Sequence, residues 1–153
     1  MTKLNFPDFQ FRFQQIKDKS FIFDIIRKKF IQLTPEEWVR QHFIHLLIDY
    51  YHYPKTLLKI ESGHKYNQLQ KRTDILVYDR QGNCFMLIEC KAPEIPVSKK
   101  TFEQVSAYNK SYQAPYMAVS NGIKHYCCCI DHTNNSFIFL DNIPTYPSEN
   151  LPE

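Results

Sequence analysis

The chain has 153 residues, 43% apolar and 23% charged, with a formal net charge of +3, which fits one domain large enough to bury a core. The mild basicity is compatible with a nucleic-acid partner without requiring one. Its three glycines, Gly63, Gly82 and Gly122, are too scattered for a phosphate-binding loop, which excludes a nucleotide-hydrolysing motor of that kind. No stretch approaches the ~20 apolar residues of a membrane helix, and Lys3 leads into Phe6-Pro7-Asp8 rather than the apolar core of a secretory signal. The expectation is therefore no membrane.

Residues 1–33 read as an aromatic-rich N-terminal arm packed on the domain. Phe9, Phe11 and Phe13 alternate, which predicts a short strand. The stretch "FIFDIIRKKFIQL" mixes apolar residues with the basic cluster Arg27-Lys28-Lys29. A helix then starts at Thr34-Pro35-Glu36-Glu37: Thr34 is its N-cap, Pro35 takes the first turn and Glu37 closes a capping box. It runs to about Tyr50, with Trp38, Phe43, Leu46 and Leu47 as candidates for its buried side. His42 and His45 stand three apart on this helix and read as core or surface residues, not as metal ligands.

Strands are predicted over Thr56–Glu61 and Thr73–Tyr78, with a polar loop over 63–70 between them. Arg80-Gln81-Gly82 turns the chain into a third strand, Cys84–Lys91. Pro93 and Pro96 prevent the ladder from continuing. A second helix covers Thr101–Tyr112, and strands follow at Tyr116–Ser120, Lys124–Ile130 and Ser136–Leu140. Five cysteines without a Cys-x-x-Cys pair imply reduced thiols and a cytoplasmic setting. Adjacent strand residues point to opposite faces, so Cys127-Cys128-Cys129 cannot give three ligands to one zinc and reads as small apolar filler of a central strand. The order of elements gives an α/β domain over 34–142, a mixed central β-sheet flanked by helices. A Pro-rich tail occupies 143–153.

The chemistry concentrates at one strand end. The apolar run Cys84–Ile88 leads straight into Glu89-Cys90-Lys91, and a second carboxylate, Asp74, opens the preceding strand. With the hairpin turning near Gln81-Gly82, facing residues have numbers summing to about 163, which pairs Asp74 with Glu89; a three-residue turn would shift this by one, and either way both carboxylates lie at the same open end of the strand pair. Lys91 lies one pleat beyond. Two hard oxygen ligands side by side suit Mg²⁺ or Mn²⁺, and the backbone carbonyl of Cys90 is a third candidate ligand. The alternative is a cap at the strand entrance and a solvated Glu89–Lys91 pair.

Asp74 followed by Glu89-Cys90-Lys91 at the end of an apolar strand resembles the PD-(D/E)XK nuclease motif, with Thr73 where the family often has proline. The blocks "LTPEEWVRQ" (33–41), "KRTDILVYD" (71–79), "LIECKAP" (87–93), "EQVSAYN" (103–109) and "SNG" (120–122) together resemble the N-terminal domain of type I restriction enzyme R subunits, in a short stand-alone form. The resemblance implies a restriction-endonuclease-like fold and a metal-dependent DNA endonuclease. Asp74 and Glu89 would hold the metal, Lys91 would assist the attacking water, and Glu37 would be the extra helix carboxylate near the site. For Glu37 the capping box stands as the other reading. Gln104 and Tyr108 match the family's Gln-x-x-x-Tyr motif and share one helix face; for Tyr108, helix–sheet packing is the other reading. Arg72, Lys99 and Lys100 flank the site as phosphate contacts or as a solvated rim. The implied partners are DNA and other restriction-modification subunits. The alternative function is a catalytically silent nucleic-acid-binding or assembly module of the same fold.

Overall fold

The computed structural model describes residues 1–61 and 74–148. The loop expected over 63–70, Arg72, Thr73 and the end of the tail lie outside the described residues.

The N-terminal region forms a three-stranded antiparallel sheet, β1 (Phe13–Ile16), β2 (Lys19–Asp24) and β3 (Lys29–Gln32), in that order. The strand expected across Phe9, Phe11 and Phe13 begins only at Phe13. Phe9 and Phe11 instead turn their rings onto the first helix, with Phe11 5.3 Å from Trp38 and 4.8 Å from His42 between ring centroids. Aromatic side chains placed this way bury apolar area without needing a ladder.

Helix α1 (Pro35–His45) starts as its sequence dictates, with the Thr34 side chain accepting the Glu37 N–H at 3.1 Å and Pro35 in the first turn. The reciprocal half of the expected capping box does not form. The Glu37 carboxylate is drawn away by two arginines and a glutamine, described below. The helix continues as a π turn over Leu46–Tyr50, close to the predicted end. Val39, Phe43, Ile44 and Leu47 are its buried apolar residues against the main sheet, while Trp38 and Leu46 are only partly buried.

That sheet has six strands in the order β4 (Leu58–Ile60), β5 (Ile75–Tyr78), β6 (Cys84–Cys90), β7 (Tyr116–Ser120), β8 (His125–Asp131) and β9 (Ser136–Leu140). β6 and β7 run parallel, joined by helix α2 (Lys99–Tyr112), and the other neighbours are antiparallel. The predicted strand over Thr56–Glu61 is shortened because Lys55–Leu57 form a 3₁₀ turn. The result is a mixed-sheet α/β architecture consistent with a restriction-endonuclease-like fold.

Both sheet faces are covered, which explains why β6 reads as an unbroken apolar run. Ile75, Val77, Met86, Ile88 and Ala118 pack on the α1 side. Leu76, Leu87, Met117 and Val119 pack on the α2 side with Phe102 and Val105. In β8, Cys127 joins the first cluster and Cys128 the second, so neighbouring thiols do point apart. The strand is next to the sheet edge rather than central. Burial pushes the Cys127 thiol up to about 12 and the Cys128 thiol to about 11, so both are protonated apolar filler.

Candidate functional site

β5 and β6 pair as Ile75↔Ile88, Leu76↔Leu87 and Val77↔Met86. Continued by one residue, that register sets Asp74 opposite Glu89. The bulge between Val77 and Tyr78 shifts the pairing only on the turn side, leaving the site end in register. Both carboxylates are buried, Asp74 at 6% exposure and Glu89 at 5%. Charge in such a position needs partners, because desolvation costs several kcal/mol per ion.

Asp74 takes them from two directions. The Cys90 N–H donates to its Oδ2 at 2.6 Å, and Arg40 Nη2 of α1 donates to its Oδ1. Lys91 places Nζ 3.4 Å from Glu89 Oε2, while its backbone N–H donates to the Ser120 carbonyl at 2.8 Å. The lysine is thus anchored to the end of β7 and leans back toward the carboxylate two residues before it. Within a strand the N–H and C=O of one residue point to the same side, so the Cys90 carbonyl is directed toward β5, the side on which Asp74 stands.

Arg40 ties this strand end to α1. It is 8% exposed. Its Nη2 also reaches Glu36 Oε2 at 2.8 Å, and its Nη1 donates to Glu37 Oε1. Burial and the Asp74 carboxylate push the Glu36 carboxyl above its ordinary value, against the lowering influence of Arg40 and Lys91. Glu36 therefore shares the electrostatic environment of Asp74 and Lys91. Glu37 faces the other way. Its Oε2 accepts from Arg27 Nη2 at 2.6 Å and from Gln41 Nε2 at 2.8 Å, and both donors also bond the fully buried Asp24. Glu37, the helix carboxylate expected at the site, meets Arg40 through Nη1, while Glu36 shares Nη2 with Asp74.

Arg40 and Glu36 were missed as site residues. A signal was present: Glu36 and Glu37 stand four and three residues before Arg40, the spacing that puts both carboxylates beside one guanidinium on a helix. Nothing in that spacing pointed to Asp74 as a third partner.

Helix α2 sorts the remaining candidates by its flanks. Phe102, Val105 and Asn109 are buried against the sheet. Glu103, Ser106 and Lys110 line a groove with Ile130 and Phe137, on the β8–β9 side. At 100° per residue, Gln104 and Tyr108 fall on the opposite flank, toward β5 and Asp74. Gln104 is exposed and Tyr108 partly buried. Lys99 and Lys100 begin the helix at the end of the sheet where β6 finishes, and both are exposed. Lys99 lines the β8–β9 groove beside Phe102, Tyr126 and Phe139, away from Asp74.

The "SNG" block is a structural clamp under the site. Asn121 Nδ2 donates to the Ile95 carbonyl at 2.8 Å, holding the segment that follows Lys91. Its Oδ1 accepts from the Ile123 and Lys124 amides. Ser120 Oγ accepts the Gly122 N–H at 2.9 Å, and Gly122 adopts φ +87°, a left-handed conformation that glycine accommodates.

The donor chemistry suits a hard divalent cation. Asp74 and Glu89 supply carboxylate oxygens and Cys90 a carbonyl directed to the same side. Among the described residues no three His, Cys, Asp or Glu side chains form a ready-made cage. Mg²⁺ commonly binds through one or two carboxylates with water completing its shell, so a two-carboxylate site fits it. Arg40 is the competing cation at Asp74.

Comparison with known families matches residues 35–144 to the family described as type I restriction enzyme R protein N terminus (HSDR_N). No curated protein matches the chain. Among the described residues no helix is long and apolar enough to cross a membrane.

Proposed function

The chain belongs to the type I restriction enzyme R protein N-terminus family, and from that membership we propose that it is a metal-dependent DNA endonuclease that hydrolyses phosphodiester bonds. The observation that carries the reading is the β5–β6 register, which sets Asp74 against Glu89 with Lys91 at the same strand end. Asp74, Glu89 and the Cys90 carbonyl would hold Mg²⁺ or Mn²⁺. When bound, the cation acidifies a water and offsets charge on a phosphoryl oxygen.

The chain's own groups do the rest. Lys91 keeps an ammonium beside the reacting centre, where it orients the attacking water and stabilises developing negative charge. The Cys90 N–H fixes the Asp74 carboxylate from one side. Glu36 is the partly exposed carboxylate at the mouth of the site. Glu37, held by both arginines, supports α1 rather than meeting substrate. Lys100 and Gln104 contact DNA along the α2 flank nearest Asp74, with Tyr108 behind them. Lys99 and Arg72 extend the phosphate contacts. Other restriction-modification subunits are the natural further partners of such a domain.

A specific observation also favours a second reading. Asp74 already has a cationic partner in Arg40, as expected of a silent binding or assembly module. Incubation with supercoiled plasmid separates the two. The nuclease nicks it with Mg²⁺ or Mn²⁺ and stops with EDTA or with Asp74→Asn. A silent module binds the plasmid and leaves it intact under every metal.

A further inference from the structure

One guanidinium serves three carboxylates at the junction of α1 and β5. Arg40 Nη2 is shared between Asp74 Oδ1 and Glu36 Oε2, and Nη1 goes to Glu37 Oε1. Its third nitrogen, Nε, is buried without an acceptor among the described residues. A buried donor left unmade is costly, so Arg40 is not placed to satisfy all its hydrogen bonds. Its placement is explained by charge: it is the cation that meets Asp74, whose other oxygen accepts the neutral Cys90 amide.

Glu37 does not depend on Arg40 in the same way, because Arg27 and Gln41 hold its other oxygen. Those two side chains in turn converge on Asp24, so α1 is fixed to the N-terminal sheet behind the site. Arg40 is therefore held firmly from Glu37 while its Nη2 end faces Asp74 and the partly exposed Glu36. A cation reaching Asp74 meets a positive charge already there. Two cations on one carboxylate repel, and binding of one weakens the other by the same factor.

We infer that Arg40 is a positioning residue: it neutralises and orients Asp74 in the cation-free chain, yields that role to a divalent cation, and so sets how tightly the site takes its metal. The inference rests on the metal-site reading above. It differs from that reading in assigning to α1 a direct antagonism with metal at Asp74.

The test measures metal binding rather than cleavage. Mg²⁺ is titrated by calorimetry, and free Mn²⁺ by electron paramagnetic resonance, into wild type, Arg40→Met, Arg40→Lys and Asp74→Asn. Arg40→Met removes the competing charge and should bind about tenfold more tightly, a typical coupling between ligands of one protein. Its thermal midpoint, lowered without metal, should rise more on adding Mg²⁺ than that of wild type. Arg40→Lys keeps a charge and loses the planar fork, so its affinity should stay near wild type. Asp74→Asn should abolish the effect.

The wild-type chain provides a check that needs no substitution. The Arg40 Nε–H nuclear magnetic resonance signal should shift with Mg²⁺ and saturate at the same concentration as the calorimetric titration. If Arg40→Met fails to fold, that titration and Arg40→Lys decide. Binding as tight in wild type as in Arg40→Met, with the Arg40 signal unmoved, overturns the role of Arg40 and leaves the metal site standing. Absence of saturable binding in wild type and Arg40→Met alike overturns the metal site and this inference together.

Discussion

Arg27 Nη2 lies 2.6 Å from Glu37 Oε2, joining the turn after β2 to the first turn of α1. The same guanidinium places Nε 2.7 Å from Asp24 Oδ2. Asp24 is completely buried, and its Oδ1 accepts the Ile26 and Arg27 amides. The small N-terminal sheet thus grips the helix that reaches Asp74.

That grip has a pH signature. Burial works to raise the Asp24 carboxyl, but the Arg27 amide and guanidinium and the Gln41 amide overcome it and hold the group below its ordinary 3.8. A carboxylate with a lowered folded-state value contributes stability above the unfolded value and loses it as pH falls through the folded value. Asp24→Asn should therefore cost about 3–5 kcal/mol at pH 7, the usual cost of breaking a buried ion pair. The gap from wild type should narrow only below about pH 3.8. Denaturant unfolding of both proteins at several pH values checks this; a gap that closes between pH 7 and 5 contradicts it.

Among the described residues two left-handed glycines make a matched pair. Gly122 and Gly82 have φ of +87° and +89°. A Cβ on Gly122 would stand 2.8 Å from Leu4 Cδ2 and 3.0 Å from Val39 Cγ2, whereas one on Gly82 meets nothing within 4 Å. Gly82→Ala should lose about 1–3 kcal/mol from backbone strain alone. Gly122→Ala should lose more, because α1 and the N-terminal arm must also give way. Thermal midpoints rank the two, and an equal loss would show that Leu4 and Val39 move aside freely.

How much of this was legible depends on which forces decide each part. The β5–β6 hairpin was readable from the Arg80-Gln81-Gly82 turn between apolar strands, but its register was open by one residue: the turn end pairs Tyr78 with Cys84, and it is the bulge between Val77 and Tyr78 that brings Ile75 against Ile88 and so Asp74 against Glu89. The start of α1 was readable from Thr34 and Pro35, whose effects are local. β1 and β2 were not, since β1 is exposed along its length and carries no buried face to mark it. Their connection also contains no glycine, with Lys17 itself taking φ 56°. The partnership of Arg40 with Asp74 spans 34 residues and depends on how α1 docks across the strand end. Helix spacing could identify Glu36 and Glu37 as its neighbours, but not the tertiary partner.

DNA affinity should fall as salt rises, because each neutralised phosphate contributes about −0.9 to the logarithmic slope. Lys100→Ala should reduce that slope by about 0.9. Lys99→Ala should change it less, since Lys99 lines the groove on the β8–β9 side. Fluorescence anisotropy on a short duplex from low to physiological salt measures both. A larger effect from Lys99 would place the DNA path over β8 and β9 instead of beside Asp74.

The central claim is tested most directly by a plasmid-nicking time course comparing wild type with Lys91→Ala in Mg²⁺ and Mn²⁺. Lys91 is largely buried beside its partner Glu89, so Lys91→Ala loses a buried ion pair and costs stability, about 1–3 kcal/mol, an amount a folded domain of this size can bear. Circular dichroism should therefore show an unchanged fold, and calorimetry should show metal binding retained through Asp74 and Glu89. Nicking should fall about 10²-fold or more, as expected on removing a transition-state donor. Equal nicking by the two proteins, or none by wild type with either metal, would contradict the assignment of Asp74, Glu89 and Lys91 as a hydrolytic site.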